Sequence, residues 1–148
     1  MKGFLVYHPT HGRHLFLDEL YVARQHRRQG VAHSMLHAIC KGPIELVVQH
    51  SNVAAIALYS ALRFCTVENG WYAPGKGELY MKTRSFKATR AQLATRQHHA
   101  CTVSTWADVP PATRSRMLKS IEREHSVITR IARQILQVAD PNVLYVIA

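Results

Sequence analysis

The chain has 148 residues, enough for one domain with a true core, and 47% of them are apolar, which excludes general disorder. Nineteen basic residues against nine acidic ones give a formal charge of +10, a balance suited to an anionic cofactor, an acidic protein face or nucleic acid. No apolar run approaches the ~20 residues needed to span a bilayer, no long apolar stretch opens the chain, and the three cysteines are odd in number and widely spaced. The expectation is an intracellular protein, cytoplasmic or nuclear, with reduced thiols, no membrane contact and no signal peptide.

In chain order, Gly3 to Tyr7 reads as a short strand, followed by a turn from His8 to Arg13. His14 to Val22 reads as a second strand. Alternation would place Phe16, Asp18 and Leu20 on one face, and Leu17, Glu19 and Tyr21 on the other. Residues 23–29 form a polar loop. Val31, Ala32, Met35, Leu36 and Ile39 then recur at helical spacing, and Lys41-Gly42-Pro43 stops that helix. Ile44 to Gln49 is a compact β-rich run, expected as a buried strand. Ser51-Asn52 offers a cap to a helix from Val53 to Leu62, apolar enough to be expected buried on most sides. Phe64 to Val67 and Glu78 to Lys82 read as strands around a turn at Pro74–Gly77. The order β-β-α-β-α-β-β implies an α/β layered fold with helices on the faces of a mixed sheet.

Residues 84–104 hold Arg84, Lys87, Arg90 and Arg96 without an acidic residue, and read as a basic linker. A helical C-terminal extension, 105–148, follows. Asp108-Val109-Pro110-Pro111 opens its helix, expected over 112–139 and stopped by Asp140-Pro141. Met117, Ile121, Ile128, Ile131, Ile135 and Val138 fall on one heptad-like stripe, with Glu124 as the misfit. Such a stripe covers its own domain, pairs with its twin or awaits a partner; a homodimer through 112–139 is the expectation, with the basic 84–148 stretch offered to nucleic acid.

The chemistry centres on Arg27-Arg28-Gln29-Gly30-Val31-Ala32, which follows a strand and opens a helix. In that setting loop amides and the helix dipole converge on one spot, Gly30 permits close approach, and two arginines add charge. The result suits a phosphate group. His8, His11 and His14, three apart around a turn, fit either a zinc site or an exposed basic turn, and no metal is expected.

Residues 14–64 read together resemble the GNAT superfamily of N-acetyltransferases. Leu15 to Ala32 looks like its signature strand, pyrophosphate loop and helix, with Arg27, Gly30 and Ala32 at the pattern positions. Asn52 to Phe64 resembles its second motif, and Glu78 to Lys82 its closing strand. The resemblance covers 1–83 and implies a mostly antiparallel mixed sheet that binds acetyl-coenzyme A through Tyr21, Val22, Arg27, Arg28, Gln29, Gly30, Val31, Ala32 and Asn52. It implies acetyl transfer to a primary amine: a polyamine, an aminoglycoside-like molecule or a lysine of a basic protein. Tyr59 matches the tyrosine that protonates the coenzyme sulfur. Asp18 matches the acidic position of diamine acetyltransferases that takes the amine's proton, and Glu19 the one in the aminoglycoside branch. A backbone amide near Tyr21 or Val22 would polarise the carbonyl.

The sequence departs from the family in three places. The usual strand and two helices before the first strand are missing, which takes away one wall of the acceptor site and leaves a non-catalytic binding module as the alternative. Arg63 stands where many members have a glycine closing the second helix, a left-handed position that would cost arginine ~1 kcal/mol. The 84–148 stretch lies outside the pattern.

Overall fold

The computed structural model describes residues 1–95, 98–123 and 143–148, with the backbone alone at 121–123. The larger part of the expected seam, Ile128 to Val138, lies outside the described residues, as do Glu124 and Asp140-Pro141.

The elements run β1 (Gly3–Pro9), β2 (Leu15–Val22), α1 (Val31–Ile39), β3 (Ile44–Gln49), α2 (Val53–Ala61), β4 (Phe64–Thr66), β5 (Glu78–Thr83), α3 (Phe86–Ala94), β6 (Thr102–Thr105), α4 (Pro111–Arg123) and β7 (Leu144–Ile147). A short 3₁₀ turn over Arg24–His26 leads toward α1. The strands form one sheet in the order β4-β5-β3-β2-β1-β7-β6. Every pair is antiparallel except β2 with β3, which are parallel and joined through α1. The mixed, mostly antiparallel sheet is therefore as expected.

Two consequences of the period-2 strand pattern build the core. On the first sheet face, Leu5, Leu17, Leu46, Met81 and Val146 meet Val31, Met35, Leu36 and Ile39 of α1 and Leu93 of α3. On the second face, Phe4, Val6 and Tyr145 meet Val109 and Met117 of the α4 region. Met117, one end of the expected seam, is thus fully buried against its own sheet.

Three expectations need correction. First, 84–104 is not a linker: it holds α3 and β6, and the 105–148 stretch adds β7 beside β1, so both C-terminal pieces belong to the same sheet. Ser85 caps α3 by accepting from the Ala88 amide, and Thr89 Oγ1 ties the helix to the Leu62 carbonyl at 2.9 Å. Second, α2 is not buried on most sides. Tyr59 is its one buried residue, and Val53 is 72% exposed. Its alanines face open space in a cleft rather than packed protein, which is why apolar composition misled. Third, alternation along β2 breaks. Val6 pairs with Glu19 but Tyr7 with Leu17, so Asp18 is the extra residue of a β-bulge. Phe16, Glu19 and Tyr21 consequently sit opposite His8, Val6 and Phe4 on the second face, and the His8–Phe16 and Phe4–Tyr21 ring pairs, each with centroids 5.4 Å apart, confirm the register.

Candidate active site

β2 and β3 pair only from Leu15↔Ile44 to Leu17↔Leu46. Both strands continue, β2 to Val22 and β3 to Gln49, so the parallel pair opens after its third residue pair. A cavity of about 590 Å³ fills the opening. Its lining takes Tyr59 from the first-face core and Glu19 and Tyr21 from the second face. It therefore reaches both faces of the sheet, where residues 19–22 of β2 lie beyond the last register pair with β3.

The outer end of the cavity is the entry to α1. Gly30 is the N-cap, with φ 83°, and no side chain caps the helix. The first-turn amides have no carbonyl one turn earlier to bond, so the helix itself supplies them no partner. Arg28 also stands in the left-handed region, at φ 63°. That conformation is strained for a residue with a Cβ. Arg27 donates from Nε to the Val22 carbonyl at 2.9 Å, pinning the loop to the end of β2. Arg27, Arg28, Gly30, Val31 and Ala32 line the cavity with His26 and His33, making a positive, amide-rich mouth. Asn52 lines it too, while its Oδ1 accepts from the Ala55 amide at 3.2 Å to cap α2. Gln29 does not line it: its side chain turns away to donate to the Gln25 carbonyl at 2.9 Å.

Asp18, Glu19, Tyr21, Val22 and Tyr59 line the same cavity. Burial pushes the Asp18 carboxyl above its ordinary range, opposed by the hydrogen bond and charge of His8, whose Nδ1 lies 2.6 Å from Oδ2. Tyr59 is raised above its ordinary value by burial first and by the Glu19 carboxylate second, so its hydroxyl keeps its proton at neutral pH. Its ring packs on Phe64 with centroids 5.4 Å apart. The arrangement can hold a protonated hydroxyl and a carboxylate at one opening in the sheet. His8 is the residue that sequence reasoning missed as part of this site. It lies ten residues from Asp18 on the neighbouring strand, and only the bulged pairing brings the two together.

The second face carries a further cluster. Glu45 is fully buried, receives the Trp71 indole N–H at 2.9 Å, and lies 3.3 Å from His14 Nδ1 and 3.6 Å from Lys82 Nζ. Burial alone would raise its carboxyl, but the bonds from Trp71, Tyr80 and His14 and the Lys82 charge hold it below the ordinary range. Tyr80, burdened by burial and by bonding to that carboxylate, is pushed up to about 12. Donor atoms of His11, His14 and Glu45 lie within 4.8 Å of one another. The third histidine of the expected trio, His8, is instead bound to Asp18. The Lys82 ammonium beside Glu45 opposes a second cation, so the cluster reads as an internally neutralised support for the aromatic surface of Phe16, Trp71 and Tyr72. No helix among the described residues is long and apolar enough to cross a membrane.

Three solved structures align with 55% of this chain. They are the ribosomal-protein-S18-alanine N-acetyltransferase of Escherichia coli (24% identity, TM-score 0.45), a nourseothricin acetyltransferase (24%, 0.46) and an acetyltransferase of the GNAT family from Staphylococcus aureus Mu50 (14%, 0.49). The alignments span 60%, 56% and 58% of those chains, less than two thirds of each. No curated protein matches the chain. Residues 2–64, which hold the bulged strand, the Gly30 loop and Tyr59, match the acetyltransferase (GNAT) family.

Proposed function

We propose that this chain transfers the acetyl group of acetyl-coenzyme A to a primary amine. The observation that carries the reading is a single cavity with a phosphate-suited mouth at one end and Asp18, Glu19 and Tyr59 around an opening in the sheet at the other. The α1 entry and Arg28 suit the coenzyme diphosphate, and the alanines of α2 give a smooth wall for its pantetheine arm. The acceptor approaches from the second face, past His8 and Phe16.

In this reading Asp18 takes a proton from the ammonium, directly or through one water, and its raised affinity for protons suits that task. The neutral nitrogen attacks the acetyl carbonyl while a β3-side amide near Tyr21 or Val22 stabilises the oxygen. A C–N bond forms and the C–S bond breaks; the thiolate takes the Tyr59 hydroxyl proton, and the second proton shed by the acylated nitrogen restores that hydroxyl through water. Much of the acceleration comes from holding the two substrates together. Glu19 adds negative charge that draws a cationic acceptor into a chain otherwise rich in positive charge.

The test is incubation with labelled acetyl-coenzyme A and a panel of polyamines, aminoglycosides and lysine-containing basic proteins. Label should move to at least one amine class. Tyr59→Phe should lower kcat by roughly 10- to 1000-fold while coenzyme affinity holds, the range expected for loss of one proton donor. Coenzyme binding without transfer to any amine would instead mark a binding module. No coenzyme binding would remove the proposal.

A further inference from the structure

His98 stacks on His37 in the last turn of α1, and His99 is anchored nearer the helix entry by three contacts. Its main-chain amide donates to Ser34 Oγ at 2.8 Å. Lys2 Nζ lies 2.9 Å from its Nδ1, and its Nε2 lies 2.8 Å from the Gln29 carbonyl oxygen. These partners fix the tautomer. An ammonium only donates, so Nδ1 accepts; a carbonyl only accepts, so Nε2 carries the hydrogen.

The bond lands on the peptide that joins Gln29 to Gly30. In a planar trans peptide the C=O and the following N–H point in opposite directions. Holding the Gln29 carbonyl on His99 therefore turns the Gly30 amide away from His99, and Gly30 lines the cavity. A hydrogen bond accepted at the carbonyl also polarises the peptide and makes its N–H a stronger donor. The Gln29 side chain is tied separately to Gln25, so His99 acts on the main chain alone.

We propose that His99 is a positioning residue for the coenzyme diphosphate: it holds the Gln29–Gly30 peptide so that the Gly30 amide donates to a phosphate oxygen. This rests on the acetyl-transfer reading. It adds to the site a residue beyond the family match at 2–64, supplied by the stretch between α3 and β6. Lys2, at the other end of the chain, sets the tautomer that makes the contact work.

The experiment compares binding of acetyl-coenzyme A and of acetyl-pantetheine, which lacks the diphosphate, to the full chain. His99→Ala should weaken acetyl-coenzyme A about 5- to 10-fold, the effect of one oriented hydrogen bond, and leave acetyl-pantetheine unchanged. His99→Gln, which restores an N–H donor, should recover most of the loss. In turnover the alanine variant should raise the coenzyme KM with kcat near wild type. Equal weakening of both ligands, or none, overturns the proposal while leaving acetyl transfer standing. A wild-type chain that binds neither ligand overturns both. Should the alanine variant not fold, Lys2→Met removes the partner at Nδ1 and is read by the same comparison.

Discussion

Asp18 owes its place in the cavity to one extra residue in β2. Without the bulge, alternation would leave it on the face opposite Glu19; with it, the carboxyl reaches His8 on β1. Nothing in the local pattern of residues 14–22 announces a bulge, because its register depends on a partner strand, so the residue type was legible and its orientation was not. His8 and burial pull the Asp18 proton in opposite directions. In His8→Phe the stabilising hydrogen bond is gone and burial acts unopposed, so Asp18 should hold its proton to higher pH. The acid limb of the kcat/KM profile should accordingly move to higher pH than in wild type; a limb that stays put would show that Asp18 is not the titrating base. Arg63 tests a second residue-scale argument. It occupies φ 66°, the left-handed cap that its sequence position implied. Arg63→Gly should raise stability by about 0.5–1 kcal/mol in a urea melt, since glycine reaches that conformation without a Cβ clash.

At the scale of elements, legibility followed how much of the signal was local. α1 and β3 fall at the expected bounds, because helical spacing and a compact β-branched run are each complete within their own segments. α2 was legible as a helix and misread in its surroundings. Asn52 caps it as expected, but its apolar residues border a cavity, and composition cannot distinguish packed protein from a surface awaiting a ligand. The cap and the cavity share Asn52, which gives a prediction at this scale. Asn52→Ala should cost about 1 kcal/mol of stability, the usual loss for an N-cap side chain, measured by denaturant titration. Acetyl-coenzyme A should restore part of that loss at saturating concentration, as a ligand that binds only the folded state must. A midpoint that the coenzyme does not move would count against α2 as a cavity wall.

Across the whole molecule, the division at residue 83 misjudged what holds the sheet together. β7 was illegible because it is four residues long, continuous in apolar character, and paired with a strand near the other end of the chain. Its position is nevertheless central: it bonds to β1 on one side and β6 on the other. Tyr145 and Val146 are 1% and 0% exposed, and the Tyr145 ring packs at a tilt against Trp106 with centroids 5.2 Å apart. The two side chains contribute to different sheet faces, Val146 beside the α1 core and Tyr145 beside Met117. Removing residues 143–148 would strip both faces, expose Phe4 and Val6, and leave β1 with an open edge. Burial of an apolar side chain of this size contributes about 1.5–3 kcal/mol, so the loss is a large share of the ~5–15 kcal/mol that holds a typical domain. A chain ending at residue 142 should therefore lose its cooperative thermal transition by circular dichroism, and a 1–83 fragment should behave the same way despite holding the whole family match. A 1–83 fragment that melts cooperatively and binds acetyl-coenzyme A with full-length affinity would restore the two-part division and remove the structural basis for a role of His99.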